Sequence, residues 1–433
     1  MGNPAERRAA VYTLGCRLNH AETRLIAERL EQAGYTLVAF GEPADLGVIN
    51  TCTVTAEADA KSRKAIRAFL RNNPRAFCAA VGCYAQLSAK ALAQIEGVDL
   101  ILGNRHKLDL LDYVAAGKHP EPVVVAQRLP EADFTIETYG GSRLAHRANL
   151  KIQDGCDCFC SYCVVPFARG APRSRELDDL VAEARCLAYR GVKEVVLTGL
   201  NVGAYDYGGN TVVDVVDRLN AIDGLRRIRL SSIELNTIPQ GLLERMRASD
   251  HALVPFLHVP LQSASDRVLA LMRRRYKAED FRAFCERAAV AVPDLCIGAD
   301  VLVGFPGETE EDFQETCRCV SDAPIAYTHV FRFSEREGTV AADLPDKVDP
   351  RTAHERSAEL RRLGQHKRLE FQRRFLGRTM DVLFEQQEDG RWWGYTGNYL
   401  RVSVCSEDRL ENEIRPALLE ETRGAYVWGR LDG

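Results

Sequence analysis

Three cysteines in one short segment constrain this chain more than any other feature of its sequence. Cys156, Cys160 and Cys163 have the spacing C-x3-C-x2-C. Three thiolates on a compact loop can ligate three irons of a 4Fe–4S cluster, and the fourth iron then has no protein ligand. An iron with an open position can bind a substrate, so the spacing favours catalysis over electron storage.

Zinc binding and simple packing are the alternatives for this loop. A structural zinc site needs four ligands and would usually add a second Cys-x2-Cys or His-x3-His motif. The nearest downstream cysteines, Cys186 and Cys285, are isolated. Cysteines can also be small buried hydrophobic residues. We favour an iron–sulfur cluster over both alternatives.

Length, charge and cysteine content narrow the class of protein. A chain of 433 residues predicts two to four domains. The sequence shows neither a signal peptide nor an apolar run near the roughly 18 residues that span a membrane, which predicts a cytoplasmic protein. Fourteen cysteines in such a protein predict metal binding or catalysis by thiols. A net charge of −4 is unlike a generic nucleic-acid binder, so any RNA contact must come from local patches. The GxGxxG and GxxxxGK[ST] motifs are not found, which argues against dehydrogenases and ordinary nucleotide hydrolases.

A second set of cysteines emerges from the pattern of strands in residues 8–118. Short apolar segments at 10–14, 35–40, 46–50, 77–82 and 100–102 alternate with helical segments at 19–33, 55–72 and 89–95. This alternation predicts a doubly wound parallel sheet. Cys16, Cys52 and Cys83 each follow a predicted strand, and in such a sheet the carboxyl ends of the strands share one edge. The sequence therefore predicts a shared metal site there.

The rest of the chain divides into a linker, a second α/β region and an all-β region. Residues 119–146 contain several prolines and glycines and predict a linker. Residues 147–376 contain six strand–helix units, which predict a partial (β/α)6 barrel of the TIM type with its active site at the carboxyl ends of the strands. The six predicted strands are 149–153, 194–198, 227–231, 254–259, 297–303 and 327–333.

The C-terminal region is expected to contact RNA. Residues 351–378 predict a basic amphipathic helix, and residues 377–433 predict a small all-β domain rich in aromatic and basic side chains. Such side chains suit stacking on unpaired bases, although a barrel core must use some of the rings. The candidate RNA-binding residues are Arg373, Arg374, Arg391, Trp393, Tyr399 and Arg401.

The cysteine loop and its flanks resemble the radical S-adenosylmethionine (SAM) methylthiotransferases. The loop shares with their motif Gly155, Tyr162, Pro166, Arg169, Gly170, Arg173, Ser174 and Arg175. Cys158 departs from the motif, which usually has Asn there, and we expect its thiol to point away from the cluster. The N-terminal runs around Cys16, Cys52 and Cys83 also match the family, and the C-terminal segment resembles a TRAM domain, an RNA-binding β-barrel.

The resemblance implies two 4Fe–4S clusters and SAM as cofactors. The N-terminal cysteines would hold an auxiliary cluster that supplies sulfur, and the barrel cluster would bind SAM and cleave it to a radical. Catalysis would then depend on Cys156, Cys160 and Cys163. The candidate SAM-binding residues, most of them at predicted strand ends, are Tyr162, Gly199, Asn201, Ser232, Glu234 and Gln262.

The resemblance leaves the substrate open among three branches of the family. The run Thr-Leu-Gly-Cys-Arg-Leu-Asn is most similar to the branch that methylthiolates C2 of N6-threonylcarbamoyladenosine beside the tRNA anticodon. The other branches modify isopentenyladenosine in tRNA or an aspartate of a ribosomal protein. The expected partners are the tRNA anticodon stem-loop, an electron donor such as flavodoxin or ferredoxin, and a sulfur source, with no membrane. A non-catalytic electron carrier or RNA-binding module is the alternative of another class.

Overall fold

The computed structural model describes residues 7–129, 131–136 and 146–432. The described chain forms an α/β structure in which a parallel sheet, a barrel of alternating strands and helices, and a closed all-β barrel follow one another. Among the described residues, no helix combines the length and apolar character needed to cross a bilayer.

The N-terminal sheet has six parallel strands in the order β2-β1-β3-β4-β5-β6. Every residue of the third strand is buried, because helices cover both faces of the sheet. The elements are β1 (Arg7–Thr13), α1 (Arg17–Gln32), β2 (Tyr35–Val38), β3 (Leu46–Thr51), α2 (Ala56–Asn72), β4 (Phe77–Gly82), α3 (Cys83–Leu87), α4 (Ala89–Ala93), β5 (Leu100–Leu102), α5 (Leu110–Val114) and β6 (Val123–Val125).

One strand of this sheet lies in the segment that we predicted as a linker. Val123 pairs with Leu100 and Val125 pairs with Leu102, so β6 extends the sheet. The strand has only three residues and follows Pro120 and Pro122, which gives it no periodic signal of its own. Part of the predicted linker, including Pro130, Gly140 and Gly141, lies outside the described residues.

The central unit is the predicted barrel of six parallel strands. Two three-stranded sheets, β13-β10-β7 and β14-β15-β16, are joined by bridges from Ile228 to Leu253 and from Ser232 to His258. The strands of the region are β7 (Arg147–Lys151), β8 (Gln153–Asp154), β9 (Arg173–Ser174), β10 (Glu194–Thr198), β11 (Asp206–Tyr207), β12 (Asn210–Thr211), β13 (Arg227–Leu230), β14 (Phe256–His258), β15 (Cys296–Val303) and β16 (Tyr327–Arg332).

Helices surround these strands and bury a large apolar core between the two layers. The last of them begins with a capping box in which Thr309 and Asp312 exchange hydrogen bonds. The helices are α6 (Val165–Arg169), α7 (Leu177–Tyr189), α8 (Val212–Asn220), α9 (Leu242–Arg247), α10 (Asp266–Leu271), α11 (Ala278–Ala291) and α12 (Glu310–Asp322). Short 3-10 turns occur at Lys107–Asp109, Val202–Ala204, Leu235–Thr237 and Val340–Ala342.

A long helix and a closed barrel complete the fold. Helix α13 (Pro350–Arg373) packs along β16, and the barrel that follows has the strand order β17-β18-β19-β21-β20. One apolar cluster joins the barrel to the central unit through Phe256 and Tyr327. The barrel is the one expected for a TRAM domain, and its strands are β17 (Thr379–Glu388), β18 (Arg391–Thr396), β19 (Arg401–Val404), β20 (Ile414–Arg423) and β21 (Tyr426–Leu431).

Candidate active site

Cys16, Cys52 and Cys83 lie at the carboxyl edge of the N-terminal sheet, as predicted, and we call them the rim cysteines. They follow β1, β3 and β4, which are neighbours in the sheet. Gly15 adopts a φ of +95°, and a Cβ there would fall 2.8 Å from the Sγ of Cys52. A residue without a side chain is therefore required where the first two rim cysteines approach each other.

The rim thiols share one electrostatic environment. Burial, together with the thiols of Cys83 and Cys16, raises the pKa of Cys52 to about 11. The Nε of Arg169 donates to the Sγ of Cys83 at 3.3 Å, and Asn104 Nδ2 lies 3.6 Å from the same sulfur. Metal binding requires deprotonated thiols, and the guanidinium supplies the positive charge that favours that form.

Arg169 also joins the cysteine loop of the barrel to the N-terminal sheet. Its guanidinium donates to Glu22 at 2.9 and 3.0 Å, to Asp154 at 3.0 Å and to Asn19 at 2.6 Å. Glu22 also pairs with two lysines, and the attraction of these cations outweighs burial and holds its pKa well below the usual range. We call this group the buried charge network; its members are Glu22, Lys107, Lys151, Asp154, Arg169 and Arg173.

Cys156, Cys160 and Cys163 lie together on the loop between β8 and α6. The amide of Cys163 donates to the carbonyl of Cys160, and the amide of Cys156 donates to Gly170, both at 3.0 Å. Gly155, at φ +79°, lies so close to the next segment that a Cβ would fall 1.8 Å from the carbonyl oxygen of Ala171. The loop is thus closed against α6 by backbone contacts that only glycine permits.

Donors from outside the loop reach two of its sulfurs. The amide of Val165 lies 3.4 Å from the Sγ of Cys163, and Arg274 Nη1 donates to the Sγ of Cys160 at 3.2 Å. Burial raises the pKa of Cys163 to about 12. The arrangement presents three thiols with hydrogen-bond donors around them, which is the donor set that iron–sulfur clusters use.

The expectation that Cys158 points away from this set was wrong. The thiols of Cys158 and Cys156 interact, which lowers the pKa of Cys156 and raises that of Cys158. Phe159, which follows, has a φ of +43°, and this left-handed residue turns the chain between the first two loop cysteines. A fourth thiol therefore faces the other loop cysteines.

Four of the six predicted SAM-binding residues fall into two groups. Gly199 and Ser232 follow β10 and β13 and line a large cavity. Glu234 instead pairs with Arg274, and the Asn201 side chain accepts a hydrogen bond from the amide of Glu234 at 3.1 Å. Glu234 and Asn201 therefore already have partners within the protein.

Tyr162 belongs to the cysteine loop, and Gln262 lies between β14 and α10. The Tyr162 ring packs edge-on against Phe305 at 6.3 Å, and burial raises the pKa of Tyr162 well above its ordinary value. Gln262 has a φ of +63°, and its amide donates to the carbonyl of Asp300 at 2.7 Å. Neither residue lines the large cavity.

This cavity, of about 1070 Å³, lies between the rim cysteines and the mouth of the barrel. Its wall includes Cys16 and Cys52 from the rim together with Gly199 and Ser232 from the barrel. Two regions that are far apart in sequence therefore open into one space. The charged and imidazole side chains of the wall are Arg17, Glu57, Lys61, His258, Asp300, His329, Arg332 and Arg361.

A His–Asp–His cluster on the cavity wall was not predicted. Asp300 Oδ1 lies 2.9 Å from His258 Nε2 and 3.4 Å from His329 Nδ1, and Tyr327 lies 3.1 Å from the other nitrogen of His258. The two imidazoles outweigh the effect of burial and hold the pKa of Asp300 below its ordinary value. These residues come from neighbouring strands, so no local spacing in the sequence indicated them.

The buried charge network was also missed, except for Arg169 and Arg173 in the family motif. Glu22 lies on a buried face of α1 and Lys151 ends a barrel strand, where apolar residues are the rule. Charged residues on otherwise apolar faces were the available signal. A buried charged residue must have a partner, but its position in the sequence does not identify that partner.

The candidate RNA-binding residues occupy different environments. The guanidinium of Arg401 lies 4.2 Å from the Trp393 ring, and Arg391 lies 5.2 Å from Trp428, on the outer face of the barrel. Arg373 is exposed at the end of α13. Arg374 and Tyr399 have internal partners, since Arg374 donates to the carbonyl of Pro293 and Tyr399 accepts from Arg17.

Comparison with protein families matches both α/β regions of the chain. Residues 8–103 match a family described as uncharacterized protein family UPF0004, and residues 150–320 match the radical SAM superfamily. Among solved structures, the fold is similar to a radical S-adenosylmethionine methyltransferase, TsrM, from Kitasatospora setae. That match has a TM-score of 0.58 and 17% identity, and it covers 78% of this chain and 77% of the other.

Curated relatives match nearly the whole chain. The threonylcarbamoyladenosine tRNA methylthiotransferase MtaB of Bacillus subtilis is 37% identical over 95% of this chain and 93% of its own length. The protein of the same name from Aquifex aeolicus is 39% identical over 87% of this chain and 92% of its own. A tRNA-2-methylthio-N(6)-dimethylallyladenosine synthase of Zymomonas mobilis is 34% identical over 89% and 88%. The chain therefore belongs to the radical SAM methylthiotransferase family and is an enzyme that transfers methylthio groups.

Proposed function

We propose that this enzyme methylthiolates C2 of N6-threonylcarbamoyladenosine beside the tRNA anticodon. The observation that carries the proposal is the cavity of about 1070 Å³, whose wall contains Cys16 and Cys52 as well as Gly199 and Ser232. In this proposal, a substrate in the cavity lies between a sulfur donor at the rim and a radical generator at the barrel mouth. The volume suits a modified nucleoside beside a cofactor.

The cysteine sets fit two 4Fe–4S clusters. We propose that three thiols of each set ligate a cluster, with Cys158 as a neighbour of Cys156 that is not itself a ligand, so that one iron of each cluster has no protein ligand. Backbone contacts at Gly155 close one site, and Gly15 permits the close approach of cysteines at the other. With SAM bound at the open iron, the barrel cluster would supply a 5′-deoxyadenosyl radical, and the rim cluster would supply sulfur that a first SAM methylates.

The chain's own side chains position these groups and balance their charge. Arg169 and Arg274 donate to sulfurs of Cys83 and Cys160, which stabilises thiolate ligands. Gly199 and Ser232 lie at strand ends where SAM could extend along the cavity wall. Glu234 orients Arg274 through their ion pair, and its contact with SAM stays a prediction.

The N6 substituent is assigned from the relatives. The Bacillus subtilis and Aquifex aeolicus proteins are named for threonylcarbamoyladenosine. The Zymomonas mobilis relative, at a similar identity, is named for dimethylallyladenosine. The second candidate function is therefore methylthiolation of the isopentenylated nucleoside.

The remaining partners follow from the same proposal. We infer a tRNA anticodon stem-loop that contacts the barrel face formed by Arg391, Trp393 and Arg401, and Arg373 at the end of α13 stays a candidate contact. The reaction also needs an electron donor such as flavodoxin or ferredoxin and a source of replacement sulfur. All of these partners place the enzyme in the cytoplasm.

Mass spectrometry of tRNA nucleosides from cells with and without the gene tests the proposed function. Deletion should remove 2-methylthio-N6-threonylcarbamoyladenosine while its precursor accumulates, and the wild-type gene should restore the product. A gene encoding the C160A variant is the matched control and should not restore it. Loss of the methylthiolated isopentenyladenosine instead would favour the second candidate, and unchanged tRNA nucleosides would contradict both.

A further inference from the structure

In the described part of the chain, the cavity wall carries arginines whose positive charge no neighbouring carboxylate balances. Lys61 pairs with Glu57 at 2.7 Å, and Asp300 pairs with two histidines, so the acidic residues that line the cavity already have partners. Within residues 7–129, 131–136 and 146–432, no carboxylate lies within 4.0 Å of the guanidinium of Arg17, Arg332 or Arg361. The cavity is therefore prepared for an anionic ligand.

Arg17 is the cation nearest to the rim cysteines in sequence. It follows Cys16 directly, is half-buried, and lines the cavity. One nitrogen of its guanidinium donates to the hydroxyl of Tyr399 at 2.8 Å, which fixes the side chain without neutralising its charge. Guanidinium carries five N–H donors in a planar fork, so donors remain for a carboxylate.

Tyr399 is itself held firmly at the junction of the barrels. Its ring stacks on Tyr395 with 4.9 Å between centroids and contacts Phe256 at the same distance. Burial raises the pKa of Tyr399, but Arg17, Arg147 and Arg229 outweigh that effect and lower it. Arg17 is thus anchored on a rigid support, which limits the entropy lost when a ligand binds.

The geometry of adenine explains why a cation is needed at this position. The atoms C2, N1 and the N6 nitrogen lie along one edge of the base, so a substituent on N6 lies close to the carbon that receives the methylthio group. A threonylcarbamoyl group carries a carboxylate, whereas a dimethylallyl group is apolar. If the rim cysteines present sulfur to C2, the residue that recognises the N6 substituent must lie beside them.

We propose that Arg17 binds the carboxylate of the threonylcarbamoyl group and selects this anionic substituent over an apolar one. This inference rests on the proposed function and names the residue that gives it specificity. An apolar substituent would displace water from the guanidinium of Arg17 but offer no acceptor in return. The binding free energy of a charge-assisted hydrogen bond would therefore be lost. Loss of such a pair in a half-buried site should cost about 10- to 100-fold in affinity.

The experiment compares two anticodon stem-loops that differ only at the carboxylate. One carries N6-threonylcarbamoyladenosine as the free acid, and the other carries its methyl ester. Affinity for the full-length reconstituted enzyme is measured by fluorescence anisotropy, and kcat/KM is measured by mass spectrometry of the nucleosides. We expect wild type to prefer the acid by about 10- to 100-fold in both measurements.

Variants at position 17 and one control separate the role of Arg17 from general charge. R17Q should reduce the preference for the acid to within about threefold, and R17K should retain part of it because the charge remains. K61Q removes the same charge from the same cavity wall, but from a lysine that Glu57 already neutralises. We expect K61Q to keep the wild-type preference for acid over ester.

Three outcomes would overturn the inference. They are equal binding and modification of acid and ester by wild type, full retention of the preference by R17Q, and weakening of both RNAs by the same factor in R17Q. The last result would assign Arg17 to a phosphate of the RNA instead. If wild type methylthiolates neither RNA although it is fully loaded with iron, the proposed function itself fails. If R17Q does not fold, the ratios of affinity and of kcat/KM for acid over ester in wild type and R17K still test the inference.

Discussion

The Nε of Arg169 donates to the Sγ of Cys83 across 3.3 Å, and this contact joins the end of the barrel's cysteine loop to the rim of the N-terminal sheet. The same guanidinium pairs with Glu22 from the sheet domain and Asp154 from the barrel. Arg169 and the Lys151–Glu22 pair therefore hold the two cysteine sets in position relative to each other.

Replacing Arg169 with Met should destabilise the protein strongly. The substitution leaves two buried carboxylates short of positive charge, so we expect a loss of about 3–5 kcal/mol in the free energy of unfolding. Urea unfolding measures the change, and iron content per chain should fall because Cys83 loses its donor. R218M is the control, since Arg218 forms an exposed pair with Asp178 and should cost less than about 1 kcal/mol. A small change for R169M would contradict this account of the network.

Cys158 should substitute partly for Cys156 as an iron ligand. Their thiols lie close enough to shift each other's pKa, so we expect a cluster to need little rearrangement to use either sulfur. We expect the C156A variant to retain part of the barrel iron and the double variant C156A/C158A to lose it. Iron analysis after anaerobic reconstitution measures the difference, with C285A as a control outside both sets. Equal iron loss in the single and double variants would show that Cys158 gives no rescue.

The pH dependence of stability should report on Asp312. Burial raises its pKa, but hydrogen bonds from Arg267, Ser265 and Thr309 outweigh that effect and lower it from 3.8 to about 2. A carboxylate with a lowered pKa stabilises the fold above about pH 3.8, and this contribution is lost as the pH falls towards 2. D312N should therefore be less stable than wild type by about 1–2 kcal/mol at pH 7.

The difference between D312N and wild type should shrink below about pH 4, which urea unfolding at several pH values can measure. D322N is the matched control, because Asp322 is exposed at the other end of the same helix. A difference that stays constant from pH 7 to pH 3 would show that the carboxylate charge is not the stabilising feature.

Binding of tRNA should depend on the outer face of the C-terminal barrel. The Arg401 guanidinium covers the Trp393 ring, and such a pair can stack on an unpaired base. W393A should weaken tRNA binding by about tenfold, and SAM cleavage without tRNA should be unaffected. Y189A removes an aromatic ring that is 93% exposed on α7 and should bind tRNA as wild type does. Equal binding by W393A and wild type would move the RNA contact elsewhere.

The sequence predicted the strands that carry the site because they are buried on both faces. Strands β4, β5 and β10 have the predicted bounds, since continuous apolar runs end at turn residues. Strand β20 was missed because its charged residues and Pro416 obscure the alternation expected of a strand. The rim was predictable from topology alone, since residues after parallel strands share one edge.

Contacts between distant segments were not predictable in the same way. Tyr399 looked like a base-stacking residue, but its ring packs between the C-terminal barrel and the central unit. Asp300 and His329 meet only because β15 and β16 pair in register. A local pattern in the sequence can indicate that an aromatic or charged residue lies in a buried element. It does not identify the residue from a distant segment that packs against it.

The most direct test of the account uses a variant that lacks all three rim cysteines, C16A/C52A/C83A. Its barrel site remains intact, so the reduced enzyme should still cleave SAM to 5′-deoxyadenosine in the presence of threonylcarbamoylated tRNA. Because the proposed sulfur donor is missing, no 2-methylthio nucleoside should form, and mass spectrometry of one reaction can measure both products. Formation of the methylthiolated nucleoside by this variant would contradict the claim that the rim and the barrel mouth act together across one cavity.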